Sequence, residues 1–189
     1  LKVAIKEFPN IDFKLVWRPF QLNPDMKIEG IDRQQYLNNK FNGKESADKV
    51  YKEIYEEGLK NNIFFQFDKI KITPNSFSSH KLLALAHKLN KQTEVVESLF
   101  YSYFIEGLDI GKHEELIRIA KLHGIKNKLS FDYLISEEDN GNLLYEQKHA
   151  QELGVKGVPC FIINKEFVLF GAQDKMIFLE IFDKILNVY

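Results

Sequence analysis

The chemistry that this sequence could carry centres on one cysteine and the residue before it. Cys160 is the only cysteine of the 189 residues, and it follows Pro159 in the segment GVKGVPCFIIN, residues 154–164. A cysteine becomes a reactive nucleophile where a helix N-terminus or a nearby cation lowers its pKa. Cys160 instead begins a predicted strand, so we predict that it packs as a small apolar residue.

Pro159 has two interpretations on these residues alone. Proline donates no hydrogen bond to a ladder, and it is therefore tolerated where an edge strand begins. It can also form a cis bend that stops strand pairing and leaves the N–H and C=O of Val158 open to an extended ligand.

The remaining reactive side chains do not form a recognisable pattern. The five histidines and the scattered carboxylates show no metal-ligand spacing, and one cysteine excludes an intramolecular disulfide. Twenty-six basic and 27 acidic residues give a net charge of −1, without the basic excess that nucleic acid or anionic lipid requires. No apolar run approaches the ~20 residues of a membrane span. We therefore expect no metal, nucleic-acid or membrane partner.

The elements that position Cys160 differ between the two ends of the chain and its middle. A helix tail over residues 1–8 carries Val3, Ala4 and Phe8 on one face. The clean apolar–polar alternation of IDFKLVWR predicts a strand over 11–18. Its apolar face carries Trp17, and we expect Arg18 on the other face to form a structural ion pair.

Helical spacing dominates from there to about Leu153. It predicts helices over 32–41, 46–60, 82–89, 95–104, 113–124 and 136–153, the fifth ending with Gly124 as a left-handed cap. PCFIIN and FVLF then predict a hairpin over 160–164 and 167–170, followed by an amphipathic helix over 174–189.

Five segments in this order resemble the DsbA-like thioredoxin-fold oxidoreductases, and within them the FrnE-like branch. They are WRPFQLNPD (17–25), TPNSFSSH (73–80), YFIEGLDIG (103–111), LGVKGVPCFIIN (153–164) and GAQ (171–173). Related families are the 2-hydroxychromene-2-carboxylate isomerases and the kappa-class glutathione transferases. The resemblance implies an α/β fold, with a thioredoxin-like domain over 1–23 and 154–189 and a large inserted helical subdomain over 24–153.

The resemblance also implies a substrate site. Its centre would be a cis Val158–Pro159 peptide, which holds an extended thiol compound, with Gly171 and Gln173 beside it. Asn75 either caps the helix that follows it or directs its amide at the bound thiol, and both roles are compatible. The implied partners are thiol or disulfide substrates, with glutathione as an alternative co-substrate and a homodimer left open.

The chain departs from this family in one respect, since it contains no Cys-X-X-Cys pair. The family places a first strand and that pair ahead of the first helix. We therefore expect the native protein to extend roughly 15–25 residues upstream of Leu1 and to carry the pair there. A lone serine in that segment would indicate a glutathione-dependent isomerase or transferase, and neither would indicate a non-enzymatic binding domain. The free thiol and the lack of a recognisable signal sequence favour the cytoplasm.

Overall fold

The computed structural model describes residues 1–188, and the side chains of 1–187. The helices of this part of the chain are α1 (Lys2–Ile5), α2 (Arg33–Phe41), α3 (Lys44–Lys60), α4 (Phe77–Lys88), α5 (Gln92–Tyr101), α6 (His113–Leu122), α7 (Asn127–Ile135), α8 (Asn140–Glu152) and α9 (Lys175–Val188). The strands are β1 (Ile31–Asp32), β2 (Ile72–Thr73), β3 (Cys160–Ile163) and β4 (Phe167–Phe170). A 3₁₀ turn at Phe67–Lys69 and a π-helical turn at Ser102–Glu106 complete the set.

The chain forms two compact units, each with its own core. The first, here the hairpin unit, comprises residues 1–22 and the described residues from Tyr145 onward. The second, here the helical unit, comprises residues 23–144. The boundary falls inside α8.

The hairpin unit contains the predicted hairpin. β3 and β4 pair antiparallel, with Cys160 opposite Phe170 at the open end and Ile163 opposite Phe167 at the turn. The prediction of two short strands rich in aromatic and β-branched residues is thereby confirmed.

One face of the hairpin builds the core of its unit. Phe161 of β3 packs edge-to-face on Phe178 of α9, with ring centroids 5.1 Å apart. Phe178 and Phe182 are almost fully buried, and Ala4 of α1 is completely buried beside them. Partly buried apolar residues surround these three: Leu1, Ile5, Phe8, Phe13, Phe161, Ile163, Leu169 and Leu179.

The predicted strand over 11–18 is wrong. This segment has no strand structure, because the ladders within residues 1–188 pair only β1 with β2 and β3 with β4. Part of the alternation nevertheless survives as burial, since Phe13, Leu15 and Trp17 are partly buried while their charged neighbours are exposed. An alternating sequence specifies which side chains are buried, but a ladder also needs a neighbouring strand.

Two smaller expectations at this end have different outcomes. Arg18 forms the predicted ion pair, with its Nη2 atom 2.7 Å from the Glu146 carboxylate. The first helix is shorter than predicted and ends at Ile5, and Val3 is exposed instead of buried. Only Ala4 of the expected apolar face is fully buried, although Phe8 still packs against the core from the following turn.

The helical unit packs α4, α5, α6 and α7 around one apolar cluster. Its fully or nearly fully buried members are Leu82, Leu85, Ala86, Val95, Leu99, Leu116, Ile119, Ala120, Ile125, Tyr133 and Leu134. Gly124 has φ +71° after α6, so the predicted left-handed cap is confirmed. Sequence analysis did not predict α7. In α3 the apolar and aromatic residues at helical spacing are Ala47, Val50, Tyr51, Ile54 and Tyr55, and only Ala47 of these is buried. No helix within residues 1–188 combines the length and apolarity needed to cross a bilayer.

Candidate functional site

The loop between α8 and β3 contains the predicted bend. After α8 ends, Gly154 turns the chain at φ +81°, and the buried side chain of Val155 anchors the loop. The Val158–Pro159 peptide is cis, as the family resemblance implied. The N–H of Gly171 donates to the carbonyl of Pro159 over 2.8 Å, which ties this loop to the end of β4.

An open cavity of about 450 Å³ lies beside this loop. Its lining residues are Gly154, Lys156, Gly157, Val158, Phe170 and Gly171. Gly154 and Gly171 have left-handed φ angles of +81° and +78°, which L residues rarely adopt. Gly157 is different, because its φ is outside that region and a Cβ there would meet nothing within 4 Å. Its backbone does not require glycine, and the missing side chain leaves the cavity wider at this position.

Val158 presents both a side chain and a backbone edge. The side chain is 52% exposed. No residue of the described chain hydrogen-bonds to its N–H or its C=O. Exposed main-chain donors and acceptors at a strand end can pair with an extended ligand in the manner of an added strand. The cavity therefore offers backbone pairing, an apolar surface and room for a substrate chain.

The other predicted site residues have local hydrogen bonds. Gly171 lines the cavity, whereas Gln173 donates from its side-chain nitrogen to the carbonyl of Phe170 over 2.8 Å and so braces the end of β4. Asn75 belongs to the helical unit. Its oxygen accepts from the N–H of Phe77 over 2.9 Å at the start of α4, and its nitrogen donates to the carbonyl of Met26 over 2.7 Å. Asn75 precedes the N-cap residue Ser76, so it supports the start of α4 through the Phe77 N–H without being the N-cap itself.

Cys160 has the surroundings of a packed residue. It is partly buried at the start of β3, opposite Phe170. Burial raises the pKa of its thiol, which lowers the fraction of reactive thiolate at neutral pH. Within residues 1–188 no three His, Cys, Asp or Glu side chains cluster closely enough to hold a metal ion.

A second polar cluster, which sequence analysis did not predict, surrounds Arg33 in the helical unit. Arg33 is only 9% exposed and its guanidinium donates to three hydroxyls. The distances are 3.1 Å to Thr73, 3.3 Å to Tyr103 and 2.6 Å to Tyr51. Burial raises the pKa of the Tyr103 phenol, and the positive charge of Arg33 opposes that shift. Arg33 lies in the first turn of α2, and no apolar periodicity in the sequence indicates that this position is buried.

The same cluster joins two of the five resemblance segments. Thr73 and Tyr103 are the first residues of TPNSFSSH and YFIEGLDIG, and both contact Arg33. Further along these segments, the Ser79 hydroxyl donates to the carbonyl of Ile110 over 2.6 Å. Gly107 has φ +76°, and a Cβ there would lie 2.7 Å from backbone atoms of Lys69. These two segments are therefore held together by hydrogen bonds inside the helical unit.

Comparison with known proteins agrees with this architecture. A family model described as a DSBA-like thioredoxin domain matches residues 1–182. Among solved structures, the chain is similar to a probable DsbA oxidoreductase from Streptomyces coelicolor, with 19% identity and a TM-score of 0.88 over 98% of this chain and 81% of that one. A search of curated proteins found no match. The chain has a mostly helical α/β fold with a single cysteine, and it belongs to the family of DSBA-like thioredoxin domains.

Proposed function

We propose that this protein is a thiol–disulfide oxidoreductase of the FrnE-like branch, and that the loop over 154–159 holds its substrate. The observation that carries the proposal is the cavity beside Val158, whose backbone N–H and C=O remain open. An extended peptide or a small thiol compound can pair with these groups while its cysteine points out of the cavity. The contact between the segments over 73–80 and 103–111 supports the assignment to this branch, since both segments carry the resemblance.

The nucleophile in this proposal is a Cys-X-X-Cys pair, which is typical of the family and is not among the 189 residues of this sequence. Cys160 is an unsuitable nucleophile because it begins a strand and burial raises its thiol pKa. A helix N-terminus lowers a thiol pKa, and the family places its pair at such a position. The lone free thiol of the chain also supports a reducing compartment, which makes the cytoplasm our proposed location.

The reaction follows ordinary exchange chemistry. A substrate thiolate attacks the enzyme disulfide, forming a mixed disulfide and releasing one enzyme thiolate. The second substrate thiolate then attacks the mixed disulfide, so the substrate leaves as a disulfide and the enzyme as a dithiol. Two electrons and two protons pass from substrate to enzyme, and oxidised glutathione in the assay restores the enzyme disulfide. The reverse sequence reduces a substrate disulfide.

The test uses the full-length protein. Intact mass and thiol titration after reduction, removal of the reductant and denaturation should show two thiols in addition to Cys160. The oxidised protein should then convert a dithiol peptide to its disulfide, which mass spectrometry follows as a loss of two hydrogens. A single titratable thiol together with no peptide oxidation would contradict the proposal. An upstream serine in place of the pair would favour the glutathione-dependent isomerase or transferase, and neither group would favour a binding domain.

A further inference from the structure

Lys156 has an unusual position in the hairpin unit. It supplies the only charged side chain among the six residues that line the cavity of the candidate site. The others are three glycines, Val158 and Phe170, and the last two are 52% and 55% exposed. The lining therefore combines apolar surface with one positive charge.

Lys156 has no ion-pair partner among the described residues. No carboxylate of the described residues lies within ion-pairing distance of its ammonium group. Two other lysines of the hairpin unit have such partners, since Lys175 lies 2.6 Å from Glu7 and Lys148 lies 3.8 Å from Glu152, whereas the exposed Lys6, Lys14 and Lys165 also lack one among the described residues. Its place in the cavity lining distinguishes Lys156 from these unpaired lysines. An unpaired lysine at a cavity wall attracts an anionic group of whatever enters the cavity.

Lys156 also stands close in sequence to the backbone edge that would bind substrate. It precedes Val158 by two residues, and both line the same cavity. Gly157 lies between Lys156 and Val158 in sequence, and because it has no side chain, it does not obstruct the space between these two residues. A ligand whose cysteine pairs with Val158 would present its neighbouring residue or its terminus to the same cavity as the Lys156 ammonium.

We propose that Lys156 selects thiol and disulfide substrates that carry a carboxylate next to the reacting cysteine. This inference rests on the proposed function, because it assumes that the cavity receives the substrate. The carboxylate could belong to an acidic residue of a peptide or to a small thiol such as glutathione. The shared chemistry is an anionic group one residue away from sulfur.

The test compares two short peptides that differ only in Glu or Gln beside a single cysteine. Calorimetry with the S-methylated peptides measures their binding to the full-length protein without any redox step. As disulfides they measure kcat/KM. The variants are Lys156→Gln and Lys156→Glu. The matched control is Lys165→Gln, which removes the same charge from the exposed turn at the other end of the hairpin.

The wild type should bind the Glu peptide about two- to fivefold more tightly than the Gln peptide, the range typical of an exposed ion pair. Lys156→Gln should abolish this preference, Lys156→Glu should reverse it, and Lys165→Gln should retain it. Added salt should weaken the preference through screening. S-methylglutathione binding that weakens in Lys156→Gln would identify the small thiol as the source of the carboxylate, and unchanged binding would identify the peptide.

Two failures are distinguishable. Equal binding of the Glu and Gln peptides by the wild type, or an unchanged preference in Lys156→Gln, would overturn the role of Lys156 even if both peptides turn over. The protein could instead turn over neither disulfide, while the wild type still prefers the Glu peptide and Lys156→Gln still loses that preference. This result would contradict the oxidoreductase function but not the carboxylate selectivity.

Discussion

The segments that carry the family resemblance differ between the two units in whether their polar groups have protein partners. In the helical unit, Arg33 satisfies hydroxyls at the start of two segments, and Ser79 closes the contact between them. In the hairpin unit, the loop over 154–159 leaves the Val158 backbone and the Lys156 ammonium without protein partners among the described residues. Buried polar groups are expensive to leave unpaired, whereas exposed ones are available to a ligand.

This difference separates motifs that stabilise the fold from the motif that we propose binds substrate. Glycine shows it most directly. Gly107 is needed, because its left-handed φ and its contact with the Lys69 backbone exclude a side chain. Gly157 has neither restriction, and it lines the cavity. The predictions below test this comparison, from the largest expected change in stability to the smallest.

Arg33→Met should be the most damaging substitution. It removes the donor to Thr73, Tyr51 and Tyr103, so we expect a loss of about 3 kcal/mol in the free energy of unfolding. Urea denaturation followed by circular dichroism measures it. The matched control is Arg18→Met, which loses an ion pair from a side chain that is 67% exposed and should cost about 1 kcal/mol or less. Equal losses of unfolding free energy in both variants would refute the stabilising role of the Arg33 hydrogen bonds.

Gly107→Ala should come next. A methyl group there meets Lys69 backbone atoms 2.7 Å away and adopts a left-handed φ, for a combined cost of about 2–3 kcal/mol. The same denaturation experiment measures this loss. If Gly107→Ala proved as stable as the wild type, the distinction between the two kinds of glycine would fail.

Asp139→Asn should change how stability depends on pH. Hydrogen bonds from Lys88 and then from Tyr133 lower the pKa of Asp139 to about 2. A lowered folded-state pKa stabilises the fold above the unfolded value, and this contribution disappears as pH falls from about 4 towards 2. The wild type should therefore exceed Asp139→Asn by about 2 kcal/mol at pH 6, and most of this difference should be lost by pH 2.

Urea titrations at several pH values between 2 and 7 would show this convergence. Asp132→Asn is the control, because Asp132 pairs with Lys128 at the exposed surface of α7, where an ion pair contributes little. A difference between the wild type and Asp139→Asn that stays constant down to pH 2 would contradict the expected linkage.

Gly157→Val should have the smallest effect on stability and a distinct effect on activity. Because a Cβ at this position meets nothing within 4 Å, the free energy of unfolding should change by less than about 0.5 kcal/mol. The new side chain should narrow the cavity, however, and lower kcat/KM for disulfide substrates several-fold. Gly141→Ala, in open space on α8, is the control and should leave kcat/KM unchanged. Full activity of Gly157→Val would exclude the cavity as the substrate site.

Local patterns in the sequence were sufficient for much of the fold. Helical periodicity predicts most of the helices because an amphipathic helix satisfies its own backbone hydrogen bonds. The hairpin over 160–170 was equally predictable, since its two strands are neighbours in sequence and pair with each other. The short helix α7 was missed, because its NKLSFDYLI sequence combines residues of modest helix propensity and only tertiary packing buries Tyr133 and Leu134.

The sequence by itself determined the single thiol and the family resemblance, and through that resemblance it predicted the bend at Val158–Pro159, because motifs depend on residue identity and order. Only the tertiary structure decided that residues 11–18 lack a ladder, since pairing depends on a neighbouring strand that no local pattern supplies. It also decided that Arg33 is buried among hydroxyls and that Lys156 lines a cavity with no counterion among the described residues. The physical reason is the same for both side chains. The sequence gives the type and position of a charged residue. Its burial and its partners depend on segments that are distant along the chain.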